Sequence, residues 1–119
     1  PVRQVSYETQ NGGDAFEDLM NVATKPTVIM CGNDVLAAGA ITRARQLGYD
    51  VPGDVSVTGF DDIELAQHLY PTLTTVHVPH REMGRTAAQE LVNLIDGRAT
   101  PAQRQLDVSI VMRDSLGAI

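Results

Sequence analysis

Val51-Pro-Gly-Asp-Val-Ser-Val-Thr-Gly-Phe-Asp-Asp62 reads as a turn, then a buried strand, then a polar tip. Pro52 and Gly53 punctuate the chain and stop whatever precedes them. Val55 and Val57 make the short β-rich run of a strand over 55–59. Gly59 lets the backbone pass closely or bend at the strand end. Asp61 and Asp62 then arrive where a parallel strand delivers its carboxyl end. In open α/β sheets that end is where ligands bind.

The flanking segments supply the frame. Residues 27–31 (Thr-Val-Ile-Met-Cys) form a continuous apolar run, suited to a strand buried on both faces of a parallel sheet. Gly32-Asn33-Asp34 closes that run, and either Asn33 or Asp34 can cap the next helix. That helix covers 35–47, rich in alanine, with Gly48 as its terminator and Arg43 and Arg45 at its negative end. Upstream, residues 2–7 alternate weakly and read as a first strand. Residues 9–13 read as a loop ending in Asn11-Gly12-Gly13. A helix follows from Asp14, its expected cap, with Phe16, Leu19, Met20 and Ala23 at helical spacing.

Downstream, 63–69 reads as a short helix and 74–78 as a strand closed by Pro79. The longest helix is expected over 82–95, with Met83, Ala87, Leu91, Leu94 and Ile95 as its apolar stripe and Gly97 at its end. A polar link over 100–105 leads to a half-buried or edge strand over 106–112. Strands alternating with helices predict an α/β fold of βαβ units, a parallel sheet and right-handed crossovers.

Composition narrows the function. The 119 residues suffice for about one domain. At 43% hydrophobic and 20% charged, the chain is expected to pack a core. A net charge of −6 makes nucleic acid or an anionic membrane a poor direct partner. With 4% aromatics and no Trp, a base-stacking surface is not expected. The single cysteine, Cys31, excludes an intrachain disulfide and is compatible with a reducing compartment. No apolar run approaches a membrane span, and the start lacks a signal peptide. Pro1 in place of an initiator Met reads as the start of a piece or a processed chain.

Few residues carry chemistry. Asn33 and Asp34 after one strand, and Asp61 and Asp62 after the next, would form a ring at neighbouring tips. Such groups suit a polyhydroxylated ligand. For Asn33 and Asp61, binding and local capping are evenly balanced; for Asp34 and Asp62, capping is favoured. His77 and His80 are separated by Pro79, with no third ligand nearby, so they read as surface histidines and no metal site is expected. Cys31 reads as a buried thiol, and Arg81 and Arg85 as a solvated face. No serine elbow, dinucleotide fingerprint or Walker pattern is present, and neither catalysis nor a cofactor is expected.

Several motifs, in order and at matching spacing from about residue 7 to 117, resemble the LacI/GalR-type bacterial transcription regulators. They are Pro26-Thr-Val-Ile-Met-Cys-Gly-Asn-Asp-Val-Leu-Ala-Ala-Gly-Ala40, Leu47-Gly-Tyr-Asp and the stretch quoted first, then Leu73-Thr-Thr-Val76 and Val111-Met-Arg-Asp-Ser-Leu-Gly117. The resemblance implies a subdomain of the periplasmic-binding-protein-like type I fold that senses a small sugar-like or nucleobase-like effector. It implies that Asp61, Asn33 and Tyr7 face the ligand. Val78 stands where the family often has Gln, and its side chain cannot hydrogen-bond.

The same resemblance implies a cytoplasmic, homodimeric repressor. The helix over 35–47 and the segment 63–70 would meet the partner, through Ala37, Ala38, Ile41, Leu65 and Leu69. The competing reading packs the small residues on the chain's own sheet. DNA would be bound only through an N-terminal helix-turn-helix outside these residues. The helix over 80–97 would cross to an N-terminal subdomain, also outside them. Without that subdomain its stripe is expected to be displaced, swapped or buried in an oligomer, and the half-cleft to bind weakly. The alternative is a periplasmic sugar-binding protein of a transporter, which shares the fold.

Overall fold

The computed structural model describes residues 1–101 and 103–117. Its elements run α1 (Thr9–Met20), β1 (Val28–Met30), α2 (Asp34–Gln46), β2 (Ser56–Thr58), α3 (Leu65–His68), β3 (Thr75–His77), α4 (His80–Ile95) and β4 (Ser109–Val111). β1 and β2 pair in parallel, with Ile29 opposite Val57. Parallel bridges Thr58–Thr74 and Asp61–His77 carry the ladder on toward β3. β4 then returns antiparallel to β3, with Val76 opposite Ile110. The α/β class and the parallel core follow the alternating pattern. Of the expected polar link, position 102 lies outside the described residues.

The core lies between the β1–β2 pair and the α1–α2 pair. Phe16, Ile29, Ala40, Ile41, Ala44, Val55 and Val57 are buried there. α2 begins where Asn33 Oδ1 accepts the Leu36 N–H at 2.9 Å, and it stops before Gly48 at φ +81°. Its alanines let α1 approach closely. A Cβ on Gly39 would stand 1.8 Å from Thr9 O, and one on Gly12 would stand 2.2 Å from Leu36 O.

That contact corrects the reading of the first turn. Asn11-Gly12-Gly13 is inside α1, which starts at Thr9, and Asp14 is no cap. Asp14 instead accepts from Arg43 at 3.1 Å, beside Glu17 at 2.7 Å. The glycines that suggest a loop are there to bring two helix backbones together; tertiary packing overrides propensity.

Three further expectations fail. Residues 2–7 form no strand and are exposed throughout. β1 is not buried on both faces: Ile29 points inward, while Met30 is 84% exposed. Asp34 and Asp62 do not cap helices, as described below.

The last motif closes the sheet. The Ser115 hydroxyl, wholly buried, donates to Val57 O at 2.6 Å and accepts from Thr74 N at 2.9 Å. Thr72 Oγ1 donates to Asp114 at 2.7 Å. By contrast, no residue of α4 is buried. Met83, Leu91, Val92, Leu94 and Ile95 remain between 48% and 76% exposed, and Ile110 and Met112 on or beside β4 are also exposed. The envelope is correspondingly long, 59 × 25 × 22 Å.

Candidate functional site

The tips of β1, β2 and β3 meet at one end of the sheet. At the first tip, Asp34 is fully buried. Its Oδ1 accepts from Thr75 Oγ1 at 2.5 Å and its Oδ2 from Ile63 N at 2.9 Å. As the first residue of α2 it also faces the positive helix end. Asn33 takes the capping role, and Asp34 binds the loop after β2 to β3. The carboxylate reaches that position only because Gly59 has no side chain: a Cβ there would lie 2.2 Å from Asp34 Oδ1.

Asp62 is likewise structural. Arg113 donates to it at 2.7 Å, and His77 Nδ1 lies 2.9 Å from its other oxygen. Arg113 also donates to Leu73 O at 2.8 Å. Burial pushes the Asp62 carboxyl up, but the hydrogen bonds and charges of Arg113 and His77 outweigh it and hold the group below its ordinary value. A carboxyl depressed in the folded state adds stability above its unfolded value, and loses it as pH falls through the folded one. The parent is therefore expected to weaken more steeply than Asp62→Asn as pH falls below about 4. Urea midpoints across that window check this; parallel curves would contradict it.

Asp61 differs from its neighbour. Its backbone is fixed by Asp61 N donating to Val76 O at 3.0 Å. It holds φ at 107°, a region that strains an L side chain. Its Oδ1 lies 3.6 Å from His80 Nε2, and its side chain is 31% exposed. It lines an open depression with Val78, Pro79, His80 and Arg85. On the other side, the Tyr7 ring lies against Gly32: a Cβ there would be 3.3 Å from Tyr7 Cε1. Tyr7 and Asn33 thus flank the β1 tip, and Asp61 sits at the β2 tip. His80, read as a surface histidine, is exposed, and its ring comes within 3.6 Å of Asp61.

Cys31 is half-buried, packed against the core. Burial first, then the charge of Asp34, push its thiol up to about 12. Ellman's reagent at about pH 8 is expected to react far more slowly with folded than with unfolded protein; equal rates would contradict this. A second cleft, between residues 1–5 and the free edge of β1, has largely apolar walls including Val2, Val5, Ile29 and Leu36. It gathers no side-chain acceptors, and the strand tips remain the better candidate. Among the described residues no group of three or more His, Cys, Asp or Glu could hold a metal ion, and no helix is long and apolar enough to cross a membrane.

Of the five residues expected at a dimer contact, three are buried within the chain. Ala37 and Ile41 are 0% and 4% exposed and belong to the chain's own core, so they have no surface to offer. Ala38 is 5% exposed. Leu65 is 37% exposed, and Leu69 is half-buried against the core.

An α/β lobe with its polar groups gathered beyond the carboxyl ends of parallel strands has the architecture of a ligand-binding domain. The model of the family described as "Periplasmic binding protein-like domain" matches residues 2–116, and the chain belongs to that family. It is 39% identical over 100 residues to the HTH-type transcriptional repressor PurR of Proteus mirabilis, covering 84% of this chain and 29% of that protein. The chain thus spans under a third of that relative. The crystal structure of the lac repressor dimer bound to operator and the anti-inducer ONPF matches 93% of this chain and 39% of that one, at 32% identity and a TM-score of 0.88. A transcriptional regulator CelR–cellobiose complex matches 91% of this chain and 33% of that one, at 32% identity and a TM-score of 0.85. The resemblance to LacI/GalR regulators therefore holds along nearly the whole chain.

Proposed function

We propose that this chain is the effector-binding and dimerising part of a bacterial DNA-binding repressor. The observation that carries the reading is the strained, incompletely paired Asp61 carboxylate at the junction of three strand tips. Proteins hold such backbone strain where function needs the side chain. Asp61, Asn33 and Tyr7 bind a small sugar-like or nucleobase-like effector there. The names of the relatives, a repressor and an operator-bound dimer, favour a regulator over a transporter's binding protein. On this reading the protein works in the cytoplasm and has no catalytic activity.

The bare face of α4 supports a second half of the cleft. Its exposed Leu91, Leu94 and Ile95 suit burial on an N-terminal subdomain. An effector that bridges the halves favours one closure state and changes the DNA affinity of an N-terminal helix-turn-helix. Dimerisation uses the α3 side, where Leu65 and Tyr70 are exposed and Leu69 is half-buried. Arg45 stiffens that corner, its guanidinium 5.5 Å from the Tyr70 ring centre.

The test uses the full-length protein, its operator, and a panel of sugars and nucleobases in a mobility-shift assay. One class is expected to change operator affinity. Asp61→Asn should weaken that effector by about tenfold or more, the scale of a hydrogen bond to a charged group. An unchanged response in Asp61→Asn would overturn the assignment.

A further inference from the structure

Most polar atoms at the strand tips are already committed. Thr75 and Ile63 N occupy both oxygens of Asp34, Leu36 N occupies Asn33 Oδ1, and Arg113 and His77 hold Asp62. At the β2 and β3 tips the Asp61 carboxylate and the His80 ring remain. They stand 3.6 Å apart, beyond a direct hydrogen bond, and are 31% and 51% exposed. The depression they line is bordered by Val78 and Pro79, whose side chains have no hydrogen-bonding group, and by Arg81, Glu82 and Arg85 of α4.

We propose that Asp61 and His80 read a single ligand hydroxyl between them, which makes His80 a specificity-determining residue and the effector a polyol or sugar. The proposal rests on the effector-binding role given above. One oxygen about 2.8 Å from each group donates its proton to Asp61 and accepts the N–H of His80. A hydroxyl does both. A nucleobase carries its N–H donor and its acceptor on separate atoms, so no single atom of it serves both groups. A site that pairs a ligand hydroxyl discriminates strongly against analogues lacking it, because its own polar groups are then left unpaired.

The position of His80 extends the consequence. It is the first residue of α4, while Asp61 follows β2. An oxygen shared by the two ties the start of an otherwise unburied helix to the sheet. Hydroxyl recognition and restraint of α4 are then one event.

The test is calorimetric titration of the full-length protein with ribose, glucose, cellobiose, adenine and uracil. A sugar is expected to bind. His80→Phe should weaken it by about tenfold, and His80→Gln, which keeps a donor, by less than about threefold. A deoxy analogue of that sugar should bind the parent weakly and His80→Phe no more weakly still, since both changes remove one interaction. Amide exchange in the first turn of α4 should slow with sugar in the parent and not in His80→Phe. Both variants alter an exposed side chain, and a thermal melt confirms that they fold. Sugar binding within twofold of the parent in His80→Phe overturns the proposal and leaves the effector role standing. Binding of a nucleobase alone does the same. Binding by none of the five, with operator affinity unmoved, overturns the effector role and the proposal with it.

Discussion

Asp34→Ala is expected to destabilise the chain by about 2–6 kcal/mol, the cost of leaving two donors without their acceptor. Two donors lose their acceptor: Thr75 Oγ1 at 2.5 Å and Ile63 N at 2.9 Å. Each stays buried and unpaired, at about 1–3 kcal/mol. The cavity adds to this, because Gly59 and Leu73 pack against the space that the carboxylate fills. Opposing these costs is only the desolvation of one charge, already offset in part by the start of α2. A domain with about 5–15 kcal/mol of net stability is left marginal. Asp34→Asn keeps one acceptor and should cost less. Urea unfolding decides the matter: a lowered midpoint at unchanged slope is predicted. An Asp34→Ala midpoint equal to that of the parent would contradict the role assigned to this residue.

Gly39→Ala is expected to cost about 3 kcal/mol, at the upper end for overpacking. Helix propensity alone points the other way, since alanine improves on glycine by about 1 kcal/mol. Geometry decides the sign. The new Cβ falls 1.8 Å from Thr9 O, a backbone atom that cannot step aside without moving α1. Gly12→Ala meets Leu36 O at 2.2 Å and should behave alike. The pair should be less than additive, because either one already parts the helices. Gly13→Ala is the control: its Cβ would meet Arg43 Cβ and Gly39 O at an ordinary 3.4 Å, so it should be neutral or slightly stabilising. Thermal melts of the four proteins compare them, and a stabilised Gly39→Ala would sink the close-crossing account.

These two sites also show why parts of the fold could be read from sequence and others could not. Alternation of apolar runs with helical spacing predicts β1, α2, β2 and α4 because those signals are local. Gly12 and Gly13 mislead because the residues they pack against, Leu36, Gly39 and Arg43, belong to another helix well along the chain. Asp34 and Asp62 look like caps because capping is the commonest local use of such residues. Their actual partners, Thr75 and Arg113, are 41 and 51 residues away. The place of Asp61 at a strand end is legible because strand-end placement is a topological rule. His80 reads as a surface residue and is exposed; its approach to Asp61 is not legible because it depends on which strand ends lie side by side. Residues 2–7 lack the ladder partner that would make their weak alternation a strand.

The central claim is that the effector is held where the tips of β1, β2 and β3 meet. Hydrogen exchange on the full-length protein, with and without an effector that shifts operator binding, tests it most directly. The account predicts slowed exchange in residues 31–34, 59–63 and 77–81, where ligand contact restrains the backbone amides. Protection confined to other segments, with those three tips unchanged at saturating effector, would contradict it.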